Sequence, residues 1–393
     1  MTRRGLIGAA LAAGASVPIG AAGLGGRASA ATTDPGPVRL TLPAPTGPYP
    51  VGMVPLHLMD RSQPDPLAGP GRYRELMVSV WYPARDVWRY PLAPWMTAAS
   101  MRGLLESAGF DPTAVLAPLT AGHEGAPVRR TNRRLPVVVY SHGAGSHRSD
   151  TTIVVQELAS HGYAVVTVDH TYDGPGEFPD GRVTTREYDY DSTPWTYTRD
   201  VRFVLDQIAV LATGDNPDVD HRPLPAGLGA ALDLDRIGMF GWSKGGTATA
   251  LTMATDPRVR AGISFDGPML SQPLPSTDLD RPFMLLTAEF TRTAEPAVAD
   301  FWSHLLGWRL NIQAAGAVHS SYGDNQWLVP QLARVIGMSD AELTDWIGTL
   351  DPARAVRIQQ AYPLAFFNLH LRHRRSHLLR GPSRSFPEVM VIP

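Results

Sequence analysis

The sequence predicts an α/β fold built on a mostly parallel sheet, and three observations carry that prediction. Short apolar runs alternate with stretches of helical periodicity along most of the chain. One such run leads into Gly241-Trp242-Ser243-Lys244-Gly245-Gly246, a turn of small residues that opens at once onto an apolar helix. A chain of 393 residues with 44% hydrophobic and 18% charged content is long enough to cover both faces of a sheet in one domain.

The elements follow in order. Residues 1–30 open with Arg3-Arg4, continue through an Ala/Gly-rich stretch without charge from 5 to 26, and end on Ala28-Ser29-Ala30. That is the pattern of a twin-arginine export signal cleaved before Ala31, so the mature protein is expected to be secreted. Residues 31–46 read as a linker, 47–380 as a single α/β domain and 381–393 as a tail. Residues 53–59 and 75–82 alternate as strands do. Residues 135–141 and 163–169 are continuous apolar runs, as parallel strands buried on both faces require. Helices are expected at 150–160 and at 198–213, where Val201, Val204, Leu205, Ile208 and Leu211 share one face. Strands at 237–242, 261–265, 282–287 and 310–314 and a closing helix at 352–371 complete the alternation, which implies right-handed crossovers.

Two segments break it. Residues 88–109 are apolar and aromatic, and read either as a lid or lipid-facing surface or as ordinary core. Residues 171–195, rich in Gly, Pro, acids and Tyr, read as a surface loop near the site mouth.

Gly-x-Ser-x-Gly between strand and helix is the nucleophile elbow of an α/β-hydrolase. The turn is so tight that its neighbours must be nearly devoid of side chain. A serine hydroxyl needs a base to take its proton, and histidine titrates in the right range. In this fold the order along the chain is Ser, acid, His, so the base must follow Ser243. Of His304, His319, His370, His373 and His377, the second follows a strand on a loop and is the expected base. His304 is placed mid-helix and the last three on a solvated helix end. The acid is either Asp266 or Glu289, each at the end of a strand, and pattern alone does not choose between them. Oxyanion donors are expected from the main chain of Lys244 and from the loop Ser141-His142-Gly143-Ala144-Gly145, at Ala144. His142 is read as a brace of that loop. The side chain of Lys244, the only lysine in the sequence, is expected to face solvent.

Composition narrows the partners. The net charge is −2, which gives no reason to expect nucleic acid. With no cysteine, disulfides and thiolate metal sites are excluded. No cofactor or metal is expected, although an incidental calcium ion stays open. Residues 143–145 lack the spacing of a dinucleotide fingerprint. The nucleophile elbow and the apolar segment 88–109, rather than composition, make a small-molecule or lipid ester the expected partner, with contact to a lipid surface.

The segment from Pro136 to His170 resembles the oxyanion-loop region of the platelet-activating factor acetylhydrolase family of the plasma or type II kind. GPYPVGMVPLHLMD, VSVWYPA, GWSKGG, GISFDGPM and GAVHSSYGD are similar to that family in the same order, from about Gly47 to about His370. The resemblance implies a triad of Ser243, Asp266 and His319, with Ala144 and Lys244 as oxyanion donors. It also implies metal-independent hydrolysis of short or oxidised acyl esters, often of phospholipids, and a membrane-facing helix at 101–105. Trp242 departs from the family's commoner histidine and is similar to bacterial polyester hydrolases and secreted lipases, whose acid stands where Glu289 does. Sequence thus predicts a serine esterase, with a lipase or polyester hydrolase as the alternative. An amidase or a non-catalytic binding protein on the same scaffold is less well supported.

Overall fold

The computed structural model describes residues 36–271 and 278–393, so the segment read as an export signal lies outside the described residues. Eleven strands form the main sheet, in the spatial order 389–391, 309–314, 283–287, 259–265, 232–242, 135–141, 164–168, 73–83, 51–64, 119–124 and 92–94. The six strands from Arg309–Ala314 across to Ala164–Val168 run parallel. Antiparallel pairs close both edges. This is the α/β-hydrolase architecture expected from the sequence.

Leu135–Ser141 shows why an apolar run becomes a central strand. All seven residues are buried, and period-two geometry sends neighbours to opposite faces. Val138 and Tyr140 enter the core beneath the helices Thr152–Ser160 and Pro352–Arg372. Val137 and Val139 enter the core on the other face, with Val201, Val204 and Leu205 of the helix Pro194–Thr213. The chain leaves Leu135–Ser141 through the helix on one face and returns to Leu232–Trp242 from the other. The two strands pair directly, and the crevice at their carboxyl ends is where open α/β sheets bind ligands.

Four expectations need correction. The tail is part of the sheet: Val389–Val391 pairs antiparallel with Arg309–Ala314, and Phe386 and Val389 are buried. Nor is the described part of the linker loose. Val38–Arg39 pairs with Val115–Leu116, Leu40 is buried, and Thr46 is bonded to Glu157. His370 is not solvated; its ring packs 4.5 Å from Trp308 and 4.7 Å from Phe366 between ring centres. His304 caps the carboxyl end of the helix Pro296–Ser303 rather than lying within it.

Residues 88–109 divide between core and surface: Ala93, Trp95, Met96, Ser100, Met101 and Leu105 are buried, while Trp88 and Leu92 are exposed. The helix Ala98–Ser107 is capped by Thr97, whose side chain accepts the Ser100 N–H. Its residues Met101 and Leu105 are buried with Trp95, Met96, Leu328 and Leu332. Met101 and Leu105, at the two ends of the stretch that the family resemblance assigned to a membrane-facing helix, therefore point inward, while Arg102 between them is exposed. Met101→Ala and Leu105→Ala should each lower folding stability by about 2–4 kcal/mol in urea titrations, the usual cost of emptying a core site. Lipid-facing residues would give values near zero.

Candidate active site

Trp242 ends its strand and Lys244 begins the helix Lys244–Thr255, so one residue makes the whole turn. Ser243 makes it at φ 55° and ψ −119°, a conformation that side-chain-bearing residues rarely adopt. The glycines are dictated by space. A Cβ at Gly241 would strike the backbone of Gly245, and one at Gly245 would strike the carbonyl oxygens of Ser141 and His142. The Ser243 N–H donates to the Phe265 carbonyl at 2.9 Å, which ties the elbow to the next strand.

That next strand delivers Asp266, also at positive φ (46°) and 1% exposed. Its carboxylate accepts the N–H groups of Ala288 at 2.7 Å, Phe290 at 2.9 Å and Glu289 at 3.2 Å. It also meets His319 Nδ1 at 2.7 Å. The three main-chain donors hold the carboxylate in place, and the carboxylate fixes the plane and tautomer of the imidazole. Glu289 touches the same histidine elsewhere: its Oε1 accepts the His319 N–H at 3.0 Å. Both acid candidates thus converge on His319, Asp266 at the ring and Glu289 at the backbone.

Trp242 joins these parts. Its Nε1–H donates to the His319 carbonyl at 2.8 Å, and its ring lies 4.9 Å from the imidazole. Phe290 meets the imidazole edge-on at 5.1 Å. A Cβ at Gly143 would run into the Trp242 ring and sit 3.1 Å from Ser243 Cβ. The loop 143–145 is therefore pressed against the elbow. Among the described residues, the N–H groups of Ala144 and Lys244 donate to no other protein group.

A buried polar chain underlies this loop. His142 Nδ1 donates to the Gly143 carbonyl at 2.6 Å, and its Nε2 accepts the His170 N–H at 3.0 Å. His170 Nε2 pairs with Ser141 Oγ at 2.8 Å and its Nδ1 with Asp200 at 2.9 Å. Arg74 closes the chain with two bonds to Asp200, at 2.9 and 2.7 Å. Burial lowers the pKa of all three histidines of this region, that of His142 in direction, His147 to about 3 and His170 to about 4. They are neutral at pH 7, which suits hydrogen-bonded spacers.

Sequence reasoning missed the side chain of Lys244. Rather than facing solvent, it is largely buried and pairs with Asp173 and, at 2.7 Å, with the Ser192 carbonyl. Burial lowers its pKa, against the pull of Asp173. The segment 171–195 is correspondingly not a plain loop. It holds a hairpin, Asp173–Glu177 with Val183–Arg186, whose foot is buried beside the elbow. A lone lysine directly after the nucleophile candidate was the one signal available.

A strained serine at the carboxyl edge of a parallel sheet, beside a carboxylate-bound histidine and unpaired main-chain donors, marks the class: a hydrolase of the α/β-hydrolase fold. Comparison with known proteins narrows it. The platelet-activating factor acetylhydrolase, isoform II, family model matches residues 37–174 and 216–378, and the chain belongs to that family. It is accordingly an enzyme of the carboxylic-ester hydrolase class. A probable 1-alkyl-2-acetylglycerophosphocholine esterase of Arthroderma benhamiae is 27% identical, over 91% of this chain and 95% of its own. The platelet-activating factor acetylhydrolase of Cavia porcellus is 23% identical over 77% and 74%. A ferulic acid esterase from Streptomyces cinnamoneus, of known structure, is 33% identical with a TM-score of 0.76, covering 90% of this chain and 99% of its own. Residues 175–215, with most of the hairpin, fall outside the family match.

Among the described residues no group of three or more His, Asp or Glu is placed to hold a metal ion, and no helix is long and apolar enough to cross a membrane.

The buried histidines set an acid limit. Their folded-state pKa values lie below the unfolded value near 6.5, so the unfolded chain takes up these protons first as pH falls. The stabilising contribution of His147 and His170 is full above about pH 6.5 and is lost as pH falls toward their folded-state values, about 3 and about 4. His147→Asn should therefore lose less stability than the wild type between pH 6.5 and 4.5, by about 2–3 kcal/mol in paired urea titrations.

Proposed function

We propose that the protein is an exported serine esterase that cleaves short-chain acyl esters through an acyl-enzyme on Ser243. The observation that carries this reading is the convergence of Asp266 on the His319 ring, beside a strained Ser243. Nδ1 is engaged by the carboxylate, which leaves Nε2 to take the hydroxyl proton as Ser243 Oγ attacks the ester carbonyl. The free N–H groups of Ala144 and Lys244 receive the oxyanion, as preorganised donors do. His319 then returns its proton to the leaving alcohol, and a water deprotonated by the same ring releases the acid.

Of the two carboxylates, Asp266 is the orienting acid, since it bonds the ring, while Glu289 supports the loop that carries it. The substrates suggested by the family are acetyl and other short acyl esters, including those at the sn-2 position of phospholipids. Export by the twin-arginine route rests on the sequence of residues 1–30. A second reading, a hydroxycinnamoyl ester as substrate, is favoured by the similarity to the Streptomyces ferulic acid esterase and by the aromatic rings of Trp242 and Phe290 beside His319. The ratio of kcat/KM for p-nitrophenyl acetate to that for methyl ferulate separates the two.

Ser243→Ala should abolish turnover of p-nitrophenyl acetate, a loss on the order of 10⁶ in kcat, in a protein with an unchanged circular dichroism spectrum. Full activity of that variant would overturn the assignment. Asp266→Asn should cost about 10⁴-fold in kcat by losing the tautomer control. Glu289→Gln, which keeps an acceptor for the His319 N–H, should cost tenfold or less. The reverse ranking would make Glu289 the orienting acid.

A further inference from the structure

An oxyanion site formed by Ala144 and Lys244 takes its two donors from segments a hundred residues apart. Such donors act only when held within about half an ångström of their working positions. Glycines on both sides of Ala144 leave that loop little stiffness of its own. Something outside the loop must therefore set the distance between the donors.

Asp173 touches both segments. It is 2% exposed, at the foot of the hairpin. Its Oδ1 accepts the Gly145 N–H at 3.3 Å, one residue past Ala144. Its Oδ2 accepts the Tyr197 hydroxyl at 2.6 Å and pairs with the Lys244 ammonium. Tyr197 extends the hold, since its ring stacks 3.5 Å from that of His170 and its hydroxyl lies 3.3 Å from the Gly143 carbonyl. Arg186 Nε, 3.6 Å from Oδ1, is a second cation on the same carboxylate. The main chain reinforces this: a Cβ at Gly174 would strike the Ser146 carbonyl, so the hairpin foot lies flush on the loop.

We propose that Asp173 is a positioning residue, which fixes the oxyanion loop relative to the elbow by binding Gly145 on one side and the side chain of Lys244 on the other. Lys244 then serves twice, its N–H facing the substrate and its ammonium anchoring the elbow to the hairpin. This proposal rests on the reading of Ser243 as nucleophile and of Ala144 and Lys244 as oxyanion donors. Asp173 itself does not touch the substrate. Its removal should leave ground-state binding nearly intact and weaken the stabilisation of the tetrahedral intermediate, a loss in kcat rather than in KM.

The test is Asp173→Asn in the full chain, with active sites counted by stoichiometric labelling with a fluorophosphonate. Counting sites separates a slower site from a smaller folded fraction, which a merely structural role would produce. For p-nitrophenyl acetate, kcat per labelled site should fall ten- to a hundredfold while KM stays within threefold. Affinity for a trifluoromethyl ketone, whose adduct carries the oxyanion, should fall by a similar factor. A per-site kcat within fivefold of the wild type, or a loss carried by KM, overturns the proposal. Should the single variant not fold, because its lysine is left buried without a counter-charge, the charge-neutral double variant D173A/K244M carries the same thresholds. Failure of the wild type to take the label overturns the Ser243 reading itself. A labelled wild type with an undiminished Asp173→Asn variant overturns this proposal alone.

Discussion

The one-residue turn at Ser243 is the constraint on which the rest of the site depends. A strand and a helix can meet through a single residue only if that residue takes a strained backbone conformation and nothing bulky flanks it. Gly241, Gly245 and Gly246 satisfy the second condition, since a Cβ at any of them would overlap neighbouring atoms. Strain of this kind costs on the order of 1–3 kcal/mol and persists only where the surroundings over-determine it. Here they do: the Ser243 N–H is bonded to the adjacent strand, and the Ser243 carbonyl accepts from both Gly246 and Thr247.

The same economy governs the histidine. His319 sits on a short turn after an edge-proximal strand, a place with little regular structure to hold it. Four neighbours compensate. Asp266 binds the ring, Glu289 the N–H, Trp242 the carbonyl, and Phe290 closes one edge of the imidazole. Trp242 belongs to the elbow itself, so the nucleophile candidate and its base share a rigid mount. A tryptophan before the serine is thereby accounted for by its indole N–H and its width, independently of which ester is cleaved.

Much of this was legible in the sequence, for physical reasons that differ by element. Leu135–Ser141 and Ala164–Val168 could be read because a parallel strand covered on both faces has to be apolar throughout. Ser243 could be read because the turn excludes almost every alternative at its glycines. Asp266 and Glu289 could not be ranked, because each ends a strand and only the ring nitrogen distinguishes them. Val389–Val391 escaped notice because three residues are too few to show a period. Met101 and Leu105 could not be assigned a direction, since an apolar helix face looks the same whether it meets protein or lipid. The burial of Lys244 was hidden most completely, because its partner Asp173 lies 71 positions upstream and nothing local announces the pair.

That single lysine has a practical side. The remaining side-chain cations of the chain are arginines and histidines, so reagents that couple to ε-amines find no harmless surface handle. Conventional amine immobilisation would reach either the N-terminus or the one ε-amine, next to Ser243 in the chain, where attachment would displace Asp173. Supports for this protein are better chosen to react with carboxylates, or with a cysteine introduced on the far side of the sheet.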